Sequence, residues 1–407
     1  MRVLYVSQYF PPEIGATQSR AWEMARGIAG VGHEVTVVTE FPNHPTGKIP
    51  RSYRWRLWTR SRESGVDVIR VPVLASTAKT FARRMAFYIS FALAASVAIL
   101  VLGRRRFDVA YVTSPPLFVG LVRHVLRLVA VPMVFEVRDL WPESAIQMGA
   151  LRSERARKWA RGLEQGCYRD ARHIVAVTRG IADELDRNRD AQGKVSFVPN
   201  GVNLEIFRPG PRTGEWRRRL GVPESAFLVA YTGLHGLAHG LESLLEAAVL
   251  LRDEIDLWFA LVGDGPAKSD LIAQAKRHGL TRIVFHDAVP EETLAEFLRE
   301  IDVGVDTRRN LPITRGTLPV KLFSYWAVGI PVVAAIAGEG ASLVEESGAG
   351  RVVGPENAAE LATAIRWWRD HPQERANAAP RGRTFVAERF DRRVLAEGVA
   401  RILEAVH

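Results

Sequence analysis

A lysine in the first turn of a helix opposes the helix macrodipole unless an anion lies beside it. Lys321 holds such a place. The polar, glycine-containing stretch 314–319 (TRGTLP) leads into an apolar helical pattern from Val320 to Gly329, and a strand pattern follows from Pro331. The arrangement predicts a diphosphate ligand at Lys321, with Thr317 and Leu318 as neighbouring contacts; a solvated surface lysine is the plainer alternative. A second anion-shaped feature is the stretch 231–240 (YTGLHGLAHG), where Gly233, Gly236 and Gly240 join a strand pattern to a helical one. Glycines there let backbone N–H groups converge on phosphate oxygens, and His235 and His239 add donors. A tight strand-to-helix connection would read the same way. The turn Gly263-Asp264-Gly265-Pro266 closes another strand pattern and places Asp264 beside a ligand or in plain turn punctuation. Near the start, Gly15 and Ala16 lie between a strand and a helix, again where backbone can approach a ligand. The complete Gly-x-Gly-x-x-Gly fingerprint is absent from that turn, which argues against a nicotinamide dinucleotide site. Asp139, after another strand pattern, could orient an attacking hydroxyl; a salt bridge with Arg138 or a helix cap accounts for it equally. His44, between Asn43 and Pro45, is the remaining polar candidate.

Two rounds of alternating strand and helix patterns must position these groups. Strands are expected at Val3–Ser7, Glu34–Thr39, Val66–Val71, Val109–Thr113, Met133–Val137 and Ile174–Val177. The pattern restarts at Phe227–Thr232 and continues through Leu257–Val262, Arg282–Phe285, Val303–Asp306, Val332–Ala335 and Gly350–Val353. Such alternation predicts an α/β protein of two Rossmann-like, doubly wound parallel sheets facing a central cleft. The Pro- and Gly-rich stretch 198–214 reads as the connector. The expected division is 1–204, 205–385 and a C-terminal helix, 386–407, that returns to the first domain.

With 407 residues, 47% hydrophobic and 25% charged, the chain is neither disordered nor collagenous, and it exceeds one domain. A single cysteine, Cys167, excludes an intrachain disulfide and a cysteine-based zinc site. The first residues lack the pattern of a signal peptide, so a cytoplasmic protein is expected. The net charge of +10 is unevenly spread: residues 1–200 hold 30 basic and 17 acidic side chains, and residues 201–407 hold 25 and 28. Between Lys48 and Arg106, 13 basic residues face two acidic ones and bracket Met85–Leu102, 18 residues without a charge. Burial in the core, a homodimer contact, and partial insertion into a membrane all suit that stretch. Spanning would place consecutive strands of one sheet on opposite sides of a bilayer. The flanking cations favour insertion, with Arg83, Arg84, Phe87, Phe91, Arg104, Arg105 and Arg106 as membrane contacts and Trp55 and Trp58 as interfacial anchors. Nucleic acid is not expected as a partner, because no binding module accompanies the charge.

The ordered motifs YFPPEIGA, FPNHPTG, RDLWPES, PNGVNLEIFRP, YTGLHGLAHGLESLLEAA, GDGP and GTLPVKLFSYWAVGIPVVAA run along nearly the whole chain. Together they resemble the retaining family 4 glycosyltransferases of GT-B fold, in particular the WbuB-like enzymes of bacterial surface polysaccharide synthesis. The resemblance implies transfer from a nucleotide diphosphate sugar, expected to be UDP-linked, to a polyprenyl-diphosphate-linked saccharide, with retention, no metal and no cofactor. With the basic belt around Met85–Leu102, an anionic membrane surface is expected as a partner and a peripheral or monotopic site at the inner face of the plasma membrane as the location. Carried onto this sequence, the Gly233–Gly236 loop and Lys321 would hold the diphosphate, and backbone near Asp287–Val289 would meet the base. Gly15 and Ala16 would approach the donor from the other domain. The chain departs from the pattern where the family usually has two glutamates, one of them on the donor ribose. Ser324 and Gly316 stand in those places. A non-catalytic nucleotide-sugar sensor or scaffold is therefore the alternative.

Overall fold

A computed structural model describes residues 1–13, 15–43, 46–77, 80–103, 106–147, 151 and 153–407. The chain forms two compact units, residues 1–200 with 392–407, and residues 201–391. Unit 1 contains strands β1 (Arg2–Val6), β2 (Glu34–Glu40), β3 (Thr59–Glu63), β4 (Val66–Val71), β5 (Val109–Thr113), β6 (Met133–Val137), β7 (His173–Ala176) and β8 (Val195–Phe197). They form one sheet in the order β3-β4-β2-β1-β5-β6-β7-β8, parallel except for β3, which runs antiparallel to β4. Because helices cover both faces, the central strands read as nearly continuous apolar runs, broken in β6 by Glu136, and β5 and β6 are buried throughout. Unit 2 contains β9 (Phe227–Thr232), β10 (Leu257–Val262), β11 (Ile283–His286), β12 (Val303–Thr307), β13 (Val332–Ala335) and β14 (Gly350–Val353). They form a parallel sheet in the order β11-β10-β9-β12-β13-β14.

The boundaries fall at 200/201 and 391/392, a little away from the expected 204/205 and 385/386. Hydrogen bonds decide the first: Arg20 donates to the carbonyls of Pro199 at 2.7 Å and Val198 at 3.2 Å, whereas the Val202 amide donates to Phe390 O at 2.9 Å. Aromatic packing decides the second. Phe390 stacks on Phe323 at 4.4 Å and keeps the residues before 392 with unit 2. The helix Arg392–Val406 packs on the helix Ala16–Gly30 of unit 1, and its Ala396, Val399, Ala400 and Leu403 join that core. Close approach needs Gly27, where an added Cβ would stand 2.2 Å from Ala396 Cβ. Gly27→Val is expected to lower unfolding free energy by roughly 1–3 kcal/mol through overpacking. Gly30→Ala, where an added Cβ meets nothing within 4 Å, is the control that leaves stability unchanged or higher. Urea denaturation of both variants checks this.

The uncharged stretch lies in a helix, Phe81–Leu102, that crosses from β4 to β5. By length and composition Ala82–Leu102 suffices to cross a membrane, yet one stripe of the helix belongs to the core. Phe91, Ala92, Ala95, Ala98 and Ile99 recur at helical spacing and are buried. Phe91 is thus a core residue at 0% exposure, which corrects its expected membrane contact. Phe87 is half-buried beside Tyr88. The opposite stripe is apolar and open: Leu93, Val97 and Val101 are 62%, 57% and 61% exposed. Arg83 and Arg84 are exposed at the start of the helix, and Arg106 is half-buried after its end. Arg104 and Arg105 lie outside the described residues.

Candidate active site

In an open parallel sheet, ligands bind beyond the carboxyl ends of the strands. At that edge of unit 2 the chain leaves β9 through Gly233, at φ 119°, into the loop that ends at Gly240. The loop is braced from below by backbone contact: a Cβ at Gly263 would stand 1.8 Å from Gly233 O, and one at Gly265 would stand 2.4 Å from His235 O. The turn holding Asp264 therefore acts as a buttress. Asp264 O accepts the His235 amide at 2.8 Å, and its carboxylate accepts the Gly265 amide at 2.8 Å.

Lys321 enters the same space from the helix Val320–Val328, whose first turn has no acidic residue. A Cβ on Gly233 would lie 3.5 Å from Lys321 Cε, so the loop glycine and the lysine are neighbours. The ammonium sits 4.2 Å from the Tyr231 ring centroid and donates to Asp306 Oδ1 at 2.5 Å. Asp306, fully buried in β12, also takes Arg308 Nε on Oδ2 at 3.3 Å. Two cations thus share one buried carboxylate, leaving a net positive charge at the loop. Burial pulls the Lys321 pKa down to about 8, and the attraction of Asp306 opposes that fall. Burial and the nearby Lys321 bring His239 down to about 3, and burial and Lys268 bring His235 down to about 4. Both imidazoles are neutral at physiological pH. His235 Nδ1 and Nε2 and His239 Nδ1 are sealed from solvent without hydrogen-bond partners. The loop and its surroundings therefore gather neutral rings and two partly compensated cations, which suits an incoming diphosphate.

The other expected contacts take more modest places. A Cβ at Gly236 would stand 2.9 Å from His239 Nδ1. Thr317 Oγ1 donates to Thr314 O at 2.8 Å, and Leu318 is buried. Val289 is half-buried in the loop after β11, just beyond Asp287, which takes Lys268 Nζ at 2.6 Å. Ser324 is largely buried one turn after Lys321. Gly316 faces open space, with nothing within 4 Å of an added Cβ. In unit 1, Gly15 caps the helix Ala16–Gly30, which has no side-chain cap and no acid in its first turn. Asp139 is turned aside: its carboxylate accepts Ser144 Oγ at 2.9 Å, and burial raises its pKa. His44 lies outside the described residues. Among the described residues no three His, Cys, Asp or Glu side chains are grouped to hold a metal ion.

Asp306 and Arg308 were not among the site residues expected from the sequence. The available signal was an acidic residue ending an otherwise apolar parallel strand (VGVDT) at the edge where ligands bind.

Residues 15–201 match the model of the glycosyl transferase 4-like domain, and residues 226–370 match that of glycosyl transferases group 1. The chain is a family 4 glycosyltransferase of GT-B fold. Among its curated relatives, the enzyme is 25% identical over 336 residues to the putative colanic acid biosynthesis glycosyl transferase WcaI of Escherichia coli, covering 81% of this chain and 82% of that protein. It is 32% identical over 214 residues to the D-inositol 3-phosphate glycosyltransferase of Streptomyces avermitilis, covering 50% and 45% of the two chains. In structure the glycosyltransferase resembles HepE of Anabaena in complex with UDP-glucose, at 19% identity and a TM-score of 0.75 over all of both chains.

Proposed function

We propose that this glycosyltransferase moves a sugar from a UDP-sugar to a polyprenyl-diphosphate-linked saccharide, with retention at the anomeric carbon and with no metal or cofactor. The observation that carries this reading is the pair of cations, Lys321 and Arg308, gathered on Asp306 beneath the 233–240 loop. Departure of a nucleoside diphosphate develops negative charge on its oxygens, and the Lys321 ammonium and loop N–H groups stabilise that charge. The acceptor hydroxyl attacks the face that the leaving group vacates, and the departing oxygen takes its proton. A protein nucleophile is then unnecessary. The fold neighbour HepE, solved with UDP and with UDP-glucose, supports the choice of base, and the WcaI relative supports a role in surface polysaccharide synthesis. Calorimetry with UDP, GDP and dTDP tests the donor assignment. UDP is expected to bind at least tenfold more tightly than the others, and a preference for GDP or dTDP would overturn it.

The same proposal places the enzyme on the inner face of the plasma membrane, where a lipid-linked acceptor resides. The exposed stripe of the helix Phe81–Leu102 enters the headgroup boundary, while Arg83 and Arg84 at its start meet anionic headgroups. Exposed Trp55 and Trp58, interleaved with Arg51, Arg54, Arg56 and Arg60, add a second anchor. Leu93→Glu combined with Val97→Glu is expected to cut binding to phosphatidylglycerol liposomes about tenfold or more in sedimentation. Far-ultraviolet circular dichroism should not change. Undiminished liposome binding in the double variant would remove the stripe from the membrane contact.

A further inference from the structure

On the face of the unit 1 sheet covered by the helix Ala16–Gly30, polar groups collect near the carboxyl ends of the strands. Glu136 in β6 is fully buried and is satisfied several times over. It accepts Arg20 Nη2 at 2.6 Å and Nε at 2.9 Å, Tyr111 OH at 2.8 Å and Thr113 Oγ1 at 2.5 Å. Arg20 spends its remaining donors on the carbonyls of Val198 and Pro199. The Glu136 charge is therefore matched by Arg20, and neither needs a further ion.

Two residues on, strand periodicity returns Arg138 to the same face, immediately beyond β6. Its Nε is sealed from solvent with no hydrogen-bond partner, and the Tyr5 hydroxyl, near enough to feel its charge, is likewise sealed and unpartnered. Burial works against the guanidinium cation, and the attraction of Glu136 is offset by the like charge of Arg20. Arg138 is half-buried, with Nε shut off from water and the nearest buried carboxylate already matched by Arg20, so an arriving anion is attracted more strongly than it would be in bulk water. The neighbouring Asp139 is not that anion, because its carboxylate is turned to Ser144. The residue also stands at the edge of the sheet where open α/β folds bind ligands, the edge from which the uncapped helix Ala16–Gly30 starts.

We propose that Arg138 is the contact for a phosphate-type oxyanion of a substrate held on unit 1, the diphosphate of a lipid-linked acceptor. A planar guanidinium with unspent donors binds such a group through paired N–H bonds, which a lysine reproduces only in part. The inference rests on the reading that this enzyme acts on diphosphate-bearing substrates. Its test reads binding and not turnover, so the two fail separately.

Inorganic pyrophosphate is titrated calorimetrically into the full-length protein saturated with UDP. Pyrophosphate binding by the wild type, weakened about tenfold or more in Arg138→Gln with partial recovery in Arg138→Lys and unchanged UDP affinity, assigns the site to the acceptor diphosphate. Absence of pyrophosphate uptake by the saturated wild type overturns the proposal. If the glutamine variant does not fold, phenylglyoxal labelling of Arg138 in the wild type, read by peptide mass spectrometry, supplies the answer. Pyrophosphate should slow that labelling. Equal pyrophosphate affinities in wild type and Arg138→Gln, or labelling of Arg138 indifferent to pyrophosphate, also overturns the proposal.

Discussion

Replacing Lys321 with methionine lowers the rate of sugar transfer by about 10²–10³-fold, the loss typical of removing one preorganised group from a developing negative charge. The ammonium is bound into the site by Asp306 at 2.5 Å and the Tyr231 ring at 4.2 Å, so a diphosphate meets it already oriented. Affinity for UDP falls as well. In the variant, the fully buried Asp306 keeps only Arg308, so the net positive charge is lost and the carboxylate offsets the one cation left for the phosphates. The double variant Lys321→Met with Asp306→Asn should therefore bind UDP more tightly than the single Lys321→Met, a non-additivity that isolates the coupling between the two side chains. Steady-state rates with the donor, UDP calorimetry and a thermal melt of each variant measure these effects. A Lys321→Met enzyme with wild-type turnover would remove the lysine from the donor site.

Asp306→Asn should give crossing pH profiles. The groups facing the Lys321 amine are Asp306 and Arg308 from β12 and the residues after it, His235 and His239 from the 233–240 loop, and Tyr231 from β9. Both histidines titrate far below neutrality and stay neutral throughout the range that matters. In the free wild-type protein the amine loses its proton near pH 8, so the lysine's contribution to UDP affinity is level below that value and falls above it. Asp306 raises the lysine pKa, and its removal moves the alkaline limb to lower pH. Near pH 6 the amine is protonated in both proteins, and the variant binds UDP at least as tightly, because a carboxylate has left the anion's surroundings. Near pH 9 the variant binds more weakly, by about tenfold for each unit of lost pKa. Parallel profiles that never cross would show that Asp306 serves only to hold the fold.

Most of the architecture was legible because parallel strands covered on both faces are written as apolar runs of strand length between helical patterns. β3 was not. Its sequence TRSRE alternates half-buried and exposed residues on an edge strand with no apolar side chain, so hydrophobic periodicity has nothing to register. β8 was too short, at three residues. At the site, Lys321 and the Gly233–Gly240 loop were legible from local rules, since a lysine against a helix dipole and glycines between strand and helix each imply an anion. Asp306 was hidden because its importance comes from packing across the sheet edge against a lysine on another element. Phe91 shows a converse limit. A helix without charges carries no sequence mark of which apolar stripe faces the core, and only the packing against β2, β4 and the turn after β5 put Phe91 inside. Arg138 stood in a recognised motif but was read only as a partner for Asp139; the bond from Ser144 to Asp139 separates the two roles.

The most direct test of the account is a transfer assay on the full-length enzyme with anionic liposomes carrying a polyprenyl-diphosphate saccharide. Panels of UDP-, GDP- and dTDP-sugars are supplied with excess chelator, and products are read by mass spectrometry and by the anomeric configuration of the new linkage. A lipid-linked product from a UDP-sugar is expected, undiminished by the chelator and retaining the donor's anomeric configuration. Product only from another nucleotide, product abolished by chelation, or an inverted linkage would contradict it.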